Sequence, residues 1–579
     1  MKERRISMKE RLIGKINKIN KKEGNQVLIR KSKRIDKRVC SILTVALLIG
    51  VLVVLLNCGP SQAQSFKPED YMVSLEEDWP TYYDPAVGTD FSDLIAVTNI
   101  HDALVFLNND NTIKPWLAEK WEHNDDGTIW KFYLRKGVKF HNGETLKASD
   151  VVFSVNRMKA IGEGLSFLFL KINEAKALDD YTVQFTLKEP FGPFLQTLIR
   201  LYVVSEKGIM AHIKKPGPYG EYGDYAKEWY LTHDVGSGPY KVKEVKMAEY
   251  VLMEKFDDWW GGWDPNAPKL FRMFAQPDPA TIRTLMANHE LEITDEWQAN
   301  ETYESLSKIP GVKIAKYVVG HNMTGGMNCA KPPTDDVHFR RAIAYSVNYA
   351  ALVDPKSGVA PGSLLSKGPV VQNLPEWNPD LTMYTYDLEK AKAELAQSKY
   401  ADNPGAIPVT YYWCQEVAWS EKIALQIQFN AAKIGIKIEL TRKPFGSMIA
   451  DAQSKETSPN IFSVILAPYY PEAGSEIFTE MHSSTQGSYD NIHWLGNIMD
   501  KEIEDALATI NEKERSAKYA KLQQEIIDLC PTLWIFDQVE QRAVQTGYFY
   551  WPGVDLKQVA CASGYPLYVH DMRVYPEKR

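Results

Sequence analysis

An uninterrupted apolar segment near the start of the chain divides it into two parts. Ser41–Leu56 is a run of 16 residues without a charged side chain, and it follows 40 residues that hold 15 Lys and Arg against 4 Asp and Glu. A membrane-spanning helix needs about 20 apolar residues, whereas the apolar core of a signal peptide has about 7–15. We therefore assign residues 1–65 to a basic head with a signal peptide or membrane anchor, and we expect the rest to fold outside the cytoplasmic membrane.

Three ways of processing this head remain open. Leu55–Cys58 resembles a lipoprotein box, in which Cys58 becomes the lipidated N-terminus, although Asn57 stands where a small residue is usual. Ser61–Ala63 has the small-x-small pattern of an ordinary signal cleavage site. The third alternative is an uncleaved anchor, and the true start at the first methionine or at Met8 is also open. All three alternatives predict a protein that is periplasmic or attached to the outer face of the cytoplasmic membrane.

The charge of the remaining chain excludes one large class of partners. The overall net charge is −7, but subtracting the 15 basic and 4 acidic residues of the head from the totals of 67 and 74 leaves 52 basic and 70 acidic residues, a net charge of −18. Nucleic-acid binding requires clustered Lys and Arg that neutralise phosphates. We therefore expect no nucleic-acid partner, and the charge alone selects no other ligand.

Motifs for catalysis and for metal binding are missing from the sequence. It contains no HExxH, P-loop, GxSxG or CxxC pattern. His482 and His493 lie in one region, but their spacing is not diagnostic of a metal site, and we expect both to be solvated. We predict no catalytic residues, no metal and no cofactor. One or two disulfides remain open among the four widely separated cysteines of the body: Cys329, Cys414, Cys530 and Cys561.

Strand and helix patterns alternate along the body. Tyr181–Leu187 and Trp130–Arg135 alternate apolar with polar residues, which indicates strands with one buried face. Asp150–Met158 is predicted to be a helix with Ser149 as its N-cap. Glu421–Lys433 has apolar residues one turn apart, which is typical of a helix with a buried stripe. This alternation predicts a mixed α/β protein with several lobes.

Several motifs occur in collinear order between roughly residues 70 and 540. They are Trp116–Trp121, Asp126–Thr128, Phe132–Glu144, Ala148–Ser154, Gly236–Tyr240, Asp258–Gly262 and Asp335–Ser346. Together they resemble the signature of the family 5 extracellular solute-binding proteins, which are the peptide, nickel and oligosaccharide receptors of ABC importers. Most of these residues are aromatics and glycines at strand, helix or turn positions, so the resemblance identifies a scaffold and does not name a ligand.

The resemblance implies an α/β fold of definite architecture: a bilobal periplasmic-binding-protein clamshell, type II-like, with an extra domain inserted in the first lobe. The implied boundaries place lobe I in residues 66–107, 232–320 and 537–579, the inserted domain in 108–231, and lobe II in 321–536. In such receptors a ligand between the lobes shifts a hinge from open to closed, and the closed form docks on a membrane permease.

One departure from the family pattern concerns the ligand. Peptide receptors of the family clamp the ligand ammonium with an Asp in a Trp-x-x-Asp-Tyr-Pro-Asp-Pro segment, which aligns here with Ala467–Ala473. Tyr469 takes the Asp position and Tyr470 follows it, and a neutral phenol lacks the charge that a buried ammonium needs. Glu472 is the candidate substitute. The departure lowers the expectation of an unmodified peptide ligand without removing it.

Aromatic residues are the other candidates for ligand contact. Tyr82 and Tyr83 lie where the family's first loop approaches the cleft, and Trp297 follows a segment that resembles the family's Gly-Glu-Val-Asp motif. Trp413 and Trp419 follow a predicted strand, and a further tryptophan lies near a loop. Rings of this kind stack on sugars, apolar side chains or cations. We therefore expect an aromatic-lined cleft that includes Tyr82, Tyr83, Trp297, Trp413, Trp419 and Trp494.

These observations predict a receptor outside the cytoplasmic membrane, without enzymatic activity, which captures a peptide-like substrate by hinge closure and delivers it to an ABC transporter permease. The alternatives are an oligosaccharide receptor of the same family, a receptor that hands its ligand to a sensor, and a secreted hydrolase. We expect a monomer whose contact with the membrane is a lipid or an N-terminal anchor. The sequence leaves the ligand open among a peptide, a sugar and a nickel chelate.

Overall fold

The structure, a computed structural model, describes residues 66–77, 79–276, 278–417 and 419–579. The predicted targeting segment, its cleavage sites and Cys58 lie outside these residues. Within the part of the chain that is described, no helix is both long enough and apolar enough to cross a bilayer.

The strands of the described residues are named in chain order. They are β1 (Met72–Glu76), β2 (Val105–Leu107), β3 (Ile113–Pro115), β4 (Ala118–His123), β5 (Ile129–Leu134), β6 (Ile172–Asp179), β7 (Thr182–Leu187), β8 (Tyr240–Lys246), β9 (Tyr250–Lys255), β10 (Leu270–Phe274), β11 (Val312–Met327), β12 (Leu364–Leu365), β13 (Val409–Cys414), β14 (Ile438–Lys443), β15 (Ile461–Leu466), β16 (Thr532–Gln545), β17 (Phe549–Tyr550) and β18 (Arg573–Val574).

The α-helices are named in the same way. They are α1 (Phe91–Ile100), α2 (Ala148–Ile161), α3 (Phe194–Thr197), α4 (Glu206–Met210), α5 (Pro279–Ala287), α6 (Asn300–Leu306), α7 (Val337–Ser346), α8 (Tyr349–Leu352), α9 (Leu388–Leu395), α10 (Ser420–Ala432), α11 (Phe445–Ala452), α12 (Ala473–Met481), α13 (Asp500–Ala508) and α14 (Glu512–Leu529).

Three larger sheets organise these elements. The first lobe is built on the sheet β1-β10-β9-β8, in which β1 and β10 are parallel, and the second lobe on the six-stranded sheet β12-β16-β11-β15-β13-β14. An antiparallel sheet, β4-β5-β7-β6, lies with α2 in residues 108–231, the segment predicted as the inserted domain. The mixed α/β class predicted from the alternating patterns is confirmed.

The strands β11 and β16 run through both lobes. They pair antiparallel along most of their length, but the register breaks between Val318 and Asn322, where β11 carries extra residues. Beyond this break β11 also pairs with β15 of the second lobe, whereas Val544 of β16 bridges through Ile293 to β1 of the first lobe. Gly320 lies in the break at φ +90°, a left-handed conformation that favours glycine. The predicted boundary at residue 320 falls at this break.

Period-two patterns place one face of each strand in the core. In β5, Trp130, Phe132 and Leu134 are buried, and the ring of Phe132 lies 5.7 Å from that of Phe185 on β7. Each such side chain contributes about 1.5–3 kcal/mol when it is fully buried. The strands predicted at Trp130–Arg135 and Tyr181–Leu187 are therefore confirmed to within a residue at each end. The helix predicted at Glu421–Lys433 is confirmed as α10.

Some local predictions were wrong. Helix α2 begins at Ala148, so Ser149 is not its N-cap; instead the Asp150 carboxylate accepts a hydrogen bond from the backbone N–H of Lys147, the residue before the helix, at 2.9 Å. Residues 411–413 form the middle of β13 and do not follow a strand. The four cysteines of the described residues are free.

A buried ion pair attaches the first loop of the chain to the inserted domain. The Arg157 guanidinium on α2 donates to both carboxylate oxygens of Asp84, at 2.7 and 2.5 Å, and also to the backbone oxygen of Tyr225. Both charged side chains are almost fully buried. Removal of one partner leaves the other charge unpaired in a low-dielectric interior, which is far more costly than losing an exposed pair.

We expect Asp84→Asn to lower the free energy of unfolding by about 3–5 kcal/mol, measured by urea unfolding of the unliganded protein. The matched control is Asp180→Asn, which removes a carboxylate paired with Lys147 at 3.0 Å on the surface of the same domain. Its expected cost is below about 1 kcal/mol because both side chains are solvated. Equal losses in the two variants would contradict the structural role of the Asp84–Arg157 pair.

Candidate functional site

Loops from both lobes face each other beside the break in β11, and we call the space between them the cleft. The first lobe contributes residues around Phe91 and Trp297, and the second lobe contributes Trp419, Tyr469 and Tyr489. The ring of Phe91 lies 6.3 Å from that of Trp297 and 5.7 Å from that of His321. Across the cleft, burial and then the charges of Asp490 and Asp90 raise the pKa of Tyr489, so loops of the two lobes lie within electrostatic reach.

A small cavity lies at the hinge end of the cleft. It has a volume of about 30 Å³, enough for one group of the size of a water molecule, and it is lined by residues of both lobes. Trp419, directly before α10, forms one wall and packs 5.6 Å from Phe536. Glu296 and Gln538 line the opposite side, and one side-chain oxygen of each, Oε1, has no hydrogen-bond partner among the described residues.

The wall behind this cavity carries more acidic than basic groups. Arg542 on β16 is buried, contacts Glu77 at 3.2 Å and donates a short hydrogen bond to Glu296. Burial raises the pKa of Glu296 well above its usual value, and Arg542 offsets this only in part. Burial also raises the pKa of the neighbouring Glu76 to about 9. The single guanidinium therefore leaves an excess of carboxyl groups in this part of the molecule.

Tyr469 lies at the end of the cleft away from the cavity, and a carboxylate accepts a hydrogen bond from its hydroxyl. Its hydroxyl donates to Asp490 at 3.0 Å and lies 3.0 Å from the hydroxyl of Tyr489. Its ring meets that of Phe167 from the inserted domain at 5.2 Å. Burial raises the pKa of Asp490 to about 7, and the hydrogen bond from Tyr469 opposes that rise. A carboxyl group thus lies directly behind the phenol that replaces the expected Asp.

Glu472, the candidate substitute for that Asp, has internal partners. It is buried, its carboxylate receives hydrogen bonds from Arg515 at 2.9 and 3.2 Å, and the hydroxyl of Tyr519 donates to it at 2.7 Å. The preceding Tyr470 is buried in the same core. The structure therefore gives Glu472 a full set of partners inside the second lobe.

The aromatic candidates lie in different surroundings. Trp419 lines the cavity and Trp297 packs on Phe91, whereas Trp413 lies in the core of the second lobe on β13. In the first loop Tyr82 is 38% exposed and Tyr83 is fully buried. Trp494 is half-buried at φ +51°, and its indole N–H has no partner among the described residues. The structure brings Trp297 and Trp419 to the cleft walls and keeps Trp413 and Tyr83 inside the protein.

Two further buried carboxyl groups were not predicted from the sequence. Glu476 and Glu480 on α12 are buried, and each has one oxygen without a hydrogen-bond partner among the described residues. Burial raises both pKa values well above the usual range. Nearby charges add to the rise, that of Asp537 at Glu476, and those of Glu476 and then Asp490 at Glu480. Glutamates four residues apart on a helix usually indicate a solvated face, so their burial could not be predicted from the sequence.

The two histidines of this region are buried, which corrects the expectation that they are solvated. His493 is enclosed near Met327 and Thr532, and burial lowers its pKa to about 4. His482 lies beside Glu504 at 3.3 Å. Within the described ranges no group of three or more His, Cys, Asp and Glu side chains has the arrangement of a metal site.

Comparison with known proteins gives a consistent result. The family model of the bacterial extracellular solute-binding proteins, family 5, matches residues 112–486. The probable D,D-dipeptide-binding periplasmic protein DdpA of Escherichia coli is 26% identical over 508 residues, which cover 85% of this chain and 93% of that protein. The dipeptide-binding protein of Escherichia coli is 27% identical over 455 residues, covering 73% and 80%.

A solved structure has the same fold. The periplasmic binding protein DppA of Helicobacter pylori, in complex with the peptide STSA, superimposes with a TM-score of 0.73 at 22% identity. The superposition covers 87% of this chain and 98% of that protein. The bilobal architecture implied by the sequence motifs is thereby confirmed.

We expect Asp490→Asn to stabilise the unliganded protein at alkaline pH. The folded state raises the pKa of Asp490 to about 7, so the wild type loses stability as pH rises from about 4, the unfolded value, to about 7. Asparagine carries no such penalty. The variant should be about 2–4 kcal/mol more stable than the wild type at pH 8, with a difference near zero at pH 4.

Urea unfolding at the two pH values measures this difference. Asp125→Asn, on an exposed loop, is the control and should behave as the wild type at both pH values. A stability difference for Asp490→Asn that is the same at pH 4 and pH 8 would rule out the raised pKa of this carboxyl.

Proposed function

Because the chain belongs to the bacterial extracellular solute-binding proteins, family 5, we propose that it is a receptor for a peptide-like solute. It captures the solute outside the cytoplasmic membrane by closing its two lobes and delivers it to the permease of an ABC transporter. The chain works as a monomer and as a receptor, without chemical conversion of the solute. It is periplasmic, or it is held at the outer face of the cytoplasmic membrane through a lipid on Cys58 or an N-terminal anchor.

The observation that carries this proposal is a set of buried side-chain oxygens, at the cavity and on α12 and β16, that have no hydrogen-bond partner among the described residues. A buried polar atom without a partner costs about 1–3 kcal/mol. Peptides offer what these atoms lack, since they carry backbone N–H groups and a terminal ammonium. The acceptors are Glu296 Oε1, Glu476 Oε1, Glu480 Oε2, Asp537 Oδ1 and Gln538 Oε1.

The hinge supports closure around such a solute. The register break between Val318 and Asn322 interrupts the β11–β16 ladder where the strands pass between the lobes. Fewer ladder hydrogen bonds resist bending there than in the regular segments on either side. Residues of both lobes line the cavity next to this break, so a change in the lobe angle changes the site itself.

Relatives support the class of solute. Two of them are described as binding proteins for a D,D-dipeptide and for a dipeptide, and others as binding proteins for glutathione and for nickel. Glutathione and dipeptides share amide groups and an ammonium, which fit the acceptor-rich cleft. An oligosaccharide is the second candidate, favoured by the half-buried rings of Trp297 and Trp419, because sugar rings stack on exposed aromatic faces.

A thermal-shift screen tests the proposal with three probe classes: di- to pentapeptides, oligosaccharides and a nickel–histidine chelate. We expect peptides to raise the melting temperature in a concentration-dependent way, since a ligand of the folded state stabilises by RT ln(1 + [L]/Kd). Small-angle scattering should show a smaller radius of gyration with the same peptides. Stabilisation by sugars alone would show that the solute is an oligosaccharide and not a peptide. Chemical turnover of a stabilising peptide would overturn the proposal that the protein is a receptor.

We further expect Trp419→Ala to weaken binding of the stabilising peptide about tenfold, through loss of the cavity wall, as measured by calorimetric titration. Trp377→Ala is the matched control, since this indole is half-buried, packs against Lys367 and is not a wall of the cavity. Equal loss of affinity in the two variants would contradict the placement of the ligand beside Trp419.

A further inference from the structure

We propose that the cavity beside Trp419 binds a positively charged nitrogen group of the solute, a primary ammonium. This inference rests on the proposed receptor function and names the chemistry that one part of the cleft selects. It does not depend on whether the group belongs to a peptide side chain, a peptide N-terminus or a smaller amine.

The size of the cavity fits the end of a cationic side chain. Its volume of about 30 Å³ accommodates one group of the size of water, which is also the size of an –NH₃⁺ group. The indole of Trp419 forms one wall. A cation over the face of a tryptophan is attracted by the electron-rich ring, most strongly where water is excluded.

The unpaired hydrogen-bonding groups of the cavity require a hydrogen-bond donor. Glu296 is 3% exposed and Gln538 is 5% exposed, and both line the cavity with an Oε1 atom that has no partner among the described residues. The amide oxygen of Gln538 is an acceptor, and the carboxylate of Glu296 is an acceptor in its ionised form. An ammonium has three N–H donors, whereas a carboxylate or a carbonyl would leave both acceptors unpaired.

The charge around the cavity favours a cation over a neutral donor. Glu296 shares Arg542 with Glu77, while Glu540 contributes further negative charge and lies 2.7 Å from His321. Burial raises the pKa of Glu296, Arg542 opposes that rise, and the neighbouring carboxylates add to it. A second positive charge in the cavity would stabilise the ionised carboxylates.

The first test uses ethylammonium chloride as the probe, on protein labelled with 5-fluorotryptophan. The ¹⁹F resonance of Trp419 is identified as the one missing from Trp419→Phe. We expect a saturable shift of this resonance, with a dissociation constant that is millimolar at best for a probe of three non-hydrogen atoms. Ethanol and sodium chloride at equal concentrations should leave it unchanged.

Matched variants connect the shift to the cavity. Gln538→Leu keeps the volume but removes an acceptor, and should weaken ethylammonium binding about tenfold. Gln426→Leu is the control: this glutamine of α10 also has an unpartnered Oε1 atom but does not line the cavity, so its removal should change nothing. No shift with ethylammonium, or equal binding in both variants, would overturn the inference.

A second test separates this inference from the proposed function. Alanine tripeptides with lysine at one position are compared with norleucine at the same position, and trialanine with N-acetyl-trialanine, by calorimetric titration. We expect a preference of about tenfold for lysine or for the free N-terminus, and Gln538→Leu to abolish that preference. If peptides bind without any preference for lysine or for a free N-terminus, the receptor stands and the inference fails. If ethylammonium binds in the cavity and no peptide binds, the inference stands and the peptide receptor fails.

Discussion

The shared pair of strands β11 and β16 is the interaction on which the arrangement of the cleft depends. Each strand belongs to the sheet of the second lobe and continues to the edge of the first, so the two lobes are parts of one hydrogen-bonded ladder. The break between Val318 and Asn322 interrupts the hydrogen bonds of that ladder at one place. Because Asp537 and Gln538 follow directly on the opposite strand, the hinge itself carries polar side chains of the cleft.

The electrostatics of the cleft follow from an unequal number of buried acids and bases. Some buried charges elsewhere pair with an opposite charge, as Asp84 does with Arg157 and Glu472 with Arg515. At the cleft Arg542 is the counter-charge of more than one carboxylate. The partner of Asp490 is the neutral phenol of Tyr469 and not a cation that would balance its charge. Burial without a counter-charge favours the protonated acid and lowers stability above its pKa. Such unpaired groups are typical of binding sites, where stability is lost in exchange for function.

The sequence predicts those parts of the fold in which one face of an element is buried. The alternation of apolar residues in β5 and the apolar stripe on α10 were sufficient to predict these two elements. Burial of one face alone produces the period of a strand or of a helix. The same rule fails where an element is buried on both sides. In α12 the spacing of Glu476 and Glu480 is that of a solvated helix face, but the surrounding tertiary structure buries both side chains. The motif alignment indicated that Tyr469 replaces an Asp, but the contact with Asp490, 21 residues further along the chain, depends on how two loops fold together.

The unpaired acceptors connect recognition to closure. When the lobes close without a solute, each buried oxygen without a donor opposes closure by about 1–3 kcal/mol. A solute that supplies N–H donors removes this penalty, so its binding energy and the shift in the hinge equilibrium come from the same contacts. Hydroxyl groups of a sugar would satisfy the hydrogen bonds but not the excess negative charge, whereas an ammonium satisfies both. If the proposed function holds, the replacement of the expected Asp by Tyr469 does not remove recognition of a positive charge from the cleft. That recognition is instead shared among Asp490, Glu480 and the cavity beside Trp419.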